Sequence, residues 1–84
     1  VKPIRLSRHA QTQCLERGAT HDEVIRAICE GEREAAKHER LLCRFNFAFE
    51  SHWQGKYYAI KQVAPVIKDE PDEIVVITVY TFFF

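Results

Sequence analysis

The sequence predicts an α+β fold: two N-terminal helices packed on a three- to four-stranded antiparallel sheet. Apolar residues recur at helical spacing as far as Gly31 and at a period of two beyond it. Helix start and stop residues bracket two short runs, Ser7 to Gly18 and Thr20 to Gly31. The strand-like runs that follow are joined by short connections, which pair neighbouring strands antiparallel.

Residues 1–6 read as an extended apolar clip, because Pro3 restricts its predecessor and Ile4 and Leu6 alternate with Arg5. Ser7 is a good N-cap and Gly18 a good residue to end the helix between them. On that helix Leu6, Ala10 and Cys14 form a narrow apolar stripe, bordered by a polar column of His9, Gln13 and Arg17 at i, i+4 and i+8. Thr20 and Glu23 have the spacing of a capping box. Val24, Ile25, Ala27 and Ile28 then give the second helix its buried face, and Gly31 stops it.

Glu32 to Glu39 reads as a polar edge strand. In Leu41 to Phe49 the odd positions are apolar and mostly aromatic, while Leu42, Arg44, Asn46, Ala48 and Glu50 fall on the other face. Ser51 to Gly55 reads as a loop, and Lys56 to about Ile67 as a long strand in which Pro65 marks a bulge or an edge. After the charged turn Lys68–Asp72, Ile74 to Thr81 is apolar on both parities, as in a central strand. Phe82-Phe83-Phe84 predicts cover for the core's rim or a homodimer contact through this tail.

The 84 residues, 46% of them hydrophobic, make one domain spanning 1–84. No apolar run reaches membrane-spanning length, so no membrane contact is expected. Cys14, Cys29 and Cys43 are an odd set without a close pair, which fits buried thiols in a reducing, cytoplasmic setting. The twelve basic and twelve acidic residues cancel, but Lys2, Arg5, Arg8 and Arg17 gather at one end and Asp69 to Glu73 at another, predicting a dipolar surface. The helix pair is a poor DNA reader, since its second helix offers only Arg26. With no CxxC, no HExxH and no glycine-rich phosphate loop, neither a metal nor a cofactor is expected.

The runs Ser7-Arg8-His9-Ala10, Glu16-Arg17-Gly18 and Asp22-Glu23-Val24, with the closing Thr78-Val79-Tyr80, resemble the small bacterial family called domain of unknown function 4258. That family is similar to the RelE, ParE and BrnT toxins, compact α+β proteins of which many cut RNA without a metal. The resemblance implies a RelE-like toxin of a toxin–antitoxin type system, a ribonuclease with an antitoxin protein as partner. By position, His9, Arg17 and Thr78 are the family-like residues. Gln13 stands where the family commonly carries a basic residue.

Metal-free RNA cleavage needs a base for the 2′-hydroxyl, an acid for the leaving 5′-oxygen and positive charge at the phosphate. His9 suits either proton role and Arg17 the charge. Lys61, Tyr58, Tyr80 and Thr78 are candidates from the strands, and Arg5, Arg8 and Gln13 would hold the RNA. Phe47, Phe49, Trp53, Tyr57 and Tyr58 fit a core better than a base-stacking surface. The competing function is a non-catalytic toxin-like module that binds a protein partner through its sheet.

Overall fold

The computed structural model describes residues 2–84. Helix α1 (Arg8–Arg17) starts as its cap predicts, with the Ala10 amide donating to the Ser7 hydroxyl at 3.0 Å. It ends at Gly18, which adopts φ +72° and passes so close to Trp53 that a Cβ would lie 2.8 Å from the indole. Glycine meets both demands there. Helix α2 (His21–Glu30) opens on the Thr20–Glu23 capping box, with both reciprocal hydrogen bonds formed.

The described strands are β1 (Ile4–Leu6), β2 (Glu32–Ala36), β3 (Arg40–Trp53), β4 (Lys56–Asp69) and β5 (Ile74–Phe83). They form one five-stranded sheet in the order β1-β5-β4-β3-β2. The expected antiparallel sheet of three to four strands is therefore corrected to a mixed sheet of five. Ile4–Leu6 is no mere clip: it pairs parallel with Ile74–Val76. Three residues carry too little alternation to read as a strand, and a partner at the opposite end of the chain leaves no trace in connection length.

Other boundaries shift for local reasons. Strand β2 stops at Ala36 because the chain turns through His38 and Glu39, both at positive φ. The expected loop 51–55 contracts to a tight turn at Gln54-Gly55, with φ of +50° and +84°, so β3 and β4 run longer than their apolar patterns. Pro65 lies in β4, a central strand. The β3–β4 register passes from Leu42↔Val66 to Phe45↔Val63 with no ladder pair at Cys43, which faces the proline nitrogen that has no hydrogen to give. Against β5 the register slips between Val66 and Ile67, the bulge that Pro65 suggested.

Both helices pack on one face of the sheet. Leu6, Ala10, Cys14, Val24 and Ile28 meet Cys43, Val63, Ile67, Val76 and Val79 in a single core, with Phe47 packed against it. Helix α1 lies over β5 and α2 over β3 and β4. Among the described residues the other sheet face carries no helix.

Candidate functional site

Among the described residues β5 has no strand on its outer side beyond Val76, because β1 ends at Leu6. An open strand edge leaves backbone donors and acceptors that something must satisfy. Helix α1 takes over that task by running along the edge. The Ser7 amide donates to the Val76 carbonyl at 3.0 Å and the Ser7 hydroxyl to Ile77 at 3.3 Å. Nearly two turns further, the Val79 amide donates to Gln13 Oε1 at 2.8 Å, and Arg17 Nη1 donates to the Val79 carbonyl at 2.8 Å. The Thr81 hydroxyl closes the series by donating to the Arg17 carbonyl at 2.8 Å. Of the polar column, Gln13 and Arg17 thus seal this edge. Gln13 is buried in it, so its amide is committed to β5.

Successive strand residues point to opposite faces. Since Val79 is core, Thr78, Tyr80 and Phe82 lie on the uncovered face, where the register sets Val66 beside Thr78 and Gln62 beside Phe82. Arg17 reaches around the strand edge to this face, its guanidinium carbon 5.4 Å from the centre of the Tyr80 ring. The Tyr80 and Phe82 rings stack at 6.4 Å with 24° between their planes. Arg44 completes the line, 5.7 Å from the Phe82 centroid. Its guanidinium is held by Glu34 at 3.2 Å and by Gln62 at 3.0 Å, and Gln62 in turn donates to Asn46 at 2.9 Å. The result is a ladder, Arg17–Tyr80–Phe82–Arg44, with both rings more than 40% exposed.

The structure brings Arg17, Thr78 and Tyr80 to this rim and leaves Lys61 off it. Lys61 lies on the inner face, 6% exposed, where it donates to the Gly18 carbonyl at 2.9 Å and pairs with Glu23 at 2.7 Å. Its ammonium also sits 5.3 Å from the Phe49 ring. His9 is exposed on the first turn of α1, one turn before Gln13. Arg8 is exposed as well, whereas Arg5 makes a two-pronged contact with Glu73 at 3.0 and 3.1 Å. This contact raises the Arg5 pKa and lowers that of Glu73. Lys2 pairs with Asp69 in the same place. The expected dipole is corrected accordingly: parallel pairing of β1 with the start of β5 sets the basic arm against the acidic turn, and the two neutralise each other.

Of the terminal phenylalanines, Phe83 is enclosed by Trp53, Phe49 and Tyr58 at 5.2 to 5.5 Å, Phe82 belongs to the ladder, and Phe84 remains exposed. Cys14 and Cys43 are buried and Cys29 is exposed, all three as free thiols. Burial pushes the Cys14 and Cys43 thiols up, with Glu23 adding to the effect at Cys14.

A cleft of about 380 Å³ opens beside the ladder, where β2 begins, lined by Glu30, Glu32, Arg44, Phe45, Asn46 and Gln62. A second, mostly apolar groove of about 430 Å³ lies between the helices, with Leu15 and Cys14 on its wall. Among the described residues no cluster of three His, Cys, Asp or Glu is placed to hold a metal. Sequence reasoning left Arg44, Phe82, Gln62 and Asn46 out of the site. Their common face follows from strand parity, but their meeting depends on the β3–β4–β5 register, which only the fold supplies. No family model, no curated protein and no solved structure matches this chain.

Proposed function

We propose that this domain binds single-stranded RNA on the Arg17–Tyr80–Phe82–Arg44 ladder and, as a RelE-like toxin, cleaves it beside the His9 end of α1. The observation that supports this is the ladder itself: two exposed stacked rings with a guanidinium at each end. Bases of every kind stack on such rings, and arginine serves both the base plane and the phosphate. The RelE-like assignment rests on the resemblance carried by Ser7-Arg8-His9-Ala10 and Glu16-Arg17-Gly18.

In the cleavage step the His9 side chain and the RNA close the roughly 12 Å of helix rise between His9 and Arg17, His9 removes the proton of a 2′-hydroxyl, and the freed oxygen attacks the adjacent phosphorus. The 5′-oxygen leaves with a proton from the Tyr80 hydroxyl, and a 2′,3′-cyclic phosphate remains. Arg17 keeps donors free beyond the one given to Val79 and faces the charge that builds on the phosphate. Thr78, on the same face as Tyr80, orients the ribose. Lys61 has no part in this scheme.

The test uses the purified full chain and labelled single-stranded RNA. The unsubstituted protein binds and shortens the RNA, His9→Ala binds without cleaving, and Phe82→Ala loses roughly five- to a hundredfold in affinity, the range for one stacked base. If single-stranded RNA does not bind, or Phe82→Ala binds as well as the parent, the proposal fails. The uncovered face would then be read as the sheet surface of a non-catalytic module for a protein partner.

A further inference from the structure

The cleft next to the ladder has two chemically opposite walls. On one, Arg44 Nε and Nη2 donate to Glu34 and Nη1 to Gln62, and Gln62 Nε2 donates to Asn46. Each of these nitrogens except Nε carries a second hydrogen, and the Asn46 amide keeps both of its own. The wall therefore has hydrogen-bond donors to spare. On the other, Glu32 is exposed and has no hydrogen bond or ion pair among the described residues, while Glu30 is occupied by Arg26 at 3.1 Å. An ionised carboxylate only accepts.

Neither wall can shift its chemistry easily. Arg44 is pinned from two strands, by Glu34 of β2 and Gln62 of β4. The chain carrying Glu32 is held down at Gly31, where an added Cβ would lie 2.5 Å from the Arg44 carbonyl. Glu32 and Arg44 are cross-strand partners, so the acceptor and the donors stand next to each other on neighbouring strands, at a spacing set by β2 and β3.

Guanine matches this pair of walls. It presents two acceptors, O6 and N7, on one edge, and two donors, N1–H and the 2-amino group, on another. Arginine and amide donors take the first edge, and a carboxylate takes the second with both oxygens. Adenine offers Glu32 a single donor and sets the lone pair of N1 beside it. Cytosine likewise offers one amino donor next to an acceptor, and uracil has one N–H between two carbonyls. At about 380 Å³ the cleft has room for a purine. Arg44 both lines it and lies 5.7 Å from the Phe82 centroid, so the base following one stacked on Phe82 reaches it.

We propose that the cleft between Glu32 and the Arg44–Gln62–Asn46 row is a guanine subsite, one nucleotide along from the Phe82 platform. This rests on the proposed binding of single-stranded RNA to the ladder and adds a base preference to it.

The test is fluorescence anisotropy of the full chain at low salt with 2′-O-methylated, hence uncleavable, oligonucleotides. The probes are hexauridine and the same hexamer with one central G, A, C or inosine. The G probe binds about tenfold tighter than the U, A and C probes, within the range for a well-formed bidentate contact. Inosine, which lacks the 2-amino group, falls between. Glu32→Gln brings the ratio of G to U affinity towards one, and a melting curve checks that this exposed substitution leaves the fold intact. If every probe binds equally and Phe82→Ala weakens all of them, the platform stands and the guanine subsite is wrong. A guanine preference that survives Glu32→Gln also overturns the subsite. If no probe binds, the platform falls and the subsite with it.

Discussion

Replacing Glu23 with Gln should destabilise this protein more than removing the lysine it pairs with. Lys61 is nearly fully buried, its side chain 7% exposed, and Glu23 at 2.7 Å is its one anionic partner among the described residues. Glu23→Gln keeps the shape and the capping box but leaves a buried ammonium without a counter-charge. Breaking a buried pair typically costs about 3–5 kcal/mol. Here the Gly18 carbonyl still accepts from Lys61 and the glutamine oxygen can do the same, so about 2 kcal/mol is the better figure. In Lys61→Met the charge itself is gone, the thioether packs on Phe49, and Glu23, with its side chain 20% exposed, turns to water. That change should cost under about 1 kcal/mol. Urea unfolding followed by circular dichroism measures both. With a slope of about 1.2 kcal/mol per molar urea, Glu23→Gln moves the midpoint down by roughly 1.7 M and Lys61→Met by less than half of that. The double variant should sit near Lys61→Met. If Lys61→Met is the more damaging single change, or Glu23→Gln falls within 0.3 M of the parent, the buried pair is not what holds this corner.

Gln13→Ala strips the Val79 amide of its acceptor, and calorimetry should show a loss of about 1–3 kcal/mol with the secondary structure retained. In the native protein a thiol reagent should label Cys29 at once, and Cys14 and Cys43 only on unfolding. Because the two buried thiols titrate higher in the folded state, their contribution is complete below a pH of about 8.5 and shrinks as pH rises above it, which unfolding at pH 7 and pH 10 compares. Glu73 is held low by Arg5, so its small stabilising effect is present above the free carboxylate range and disappears as pH falls through the folded value; an NMR titration should show Glu73 moving up in Arg5→Ala. With Lys2, Arg5 and Arg44 already paired with carboxylates, Arg8 and Arg17 should neutralise about two phosphates on RNA binding, giving a slope near −1.4 for log affinity against log salt.

Much of the fold was legible because it is encoded locally. The Ser7 cap, the Thr20–Glu23 box and the alternation from Leu41 to Phe49 each name their own structure, and each is found where the sequence places it. What stayed hidden depends on partners far away in sequence. Ile4–Leu6 becomes a strand only because Ile74–Val76 needs a neighbour, and Arg5 loses its role as a free cation for the same reason. In the candidate site, the column of His9, Gln13 and Arg17 was visible as a line on one helix. The use of Gln13 and Arg17 as a seal for the β5 edge was not, since helical spacing says nothing about which backbone amide lies opposite. In the sequence Phe82 reads as part of an apolar tail, because three phenylalanines in a row hide the alternation that sends Phe83 inward and Phe82 outward.

The site owes its position to the shortness of β1. A longer β1 would pair with β5 through Val79 and Thr81, leave their backbone groups satisfied by a strand, and keep α1 away from the edge. Because β1 ends at Leu6, the Val79 amide and carbonyl must find side chains, and only long polar ones on the near side of α1 can reach them. Gln13 is neutral and disappears into the contact. Arg17 is longer and has five donors, so one of them seals the strand while the rest of the guanidinium passes the edge and lies over Tyr80. Edge sealing therefore delivers a cation to an aromatic face at no further cost in exposed charge. Arg44 arrives at the other end by a separate route, from a central strand and under the control of Glu34 and Gln62. With the basic arm neutralised by Asp69 and Glu73, these two fixed guanidinium groups make the uncovered face one that favours stacking planes over diffuse negative charge.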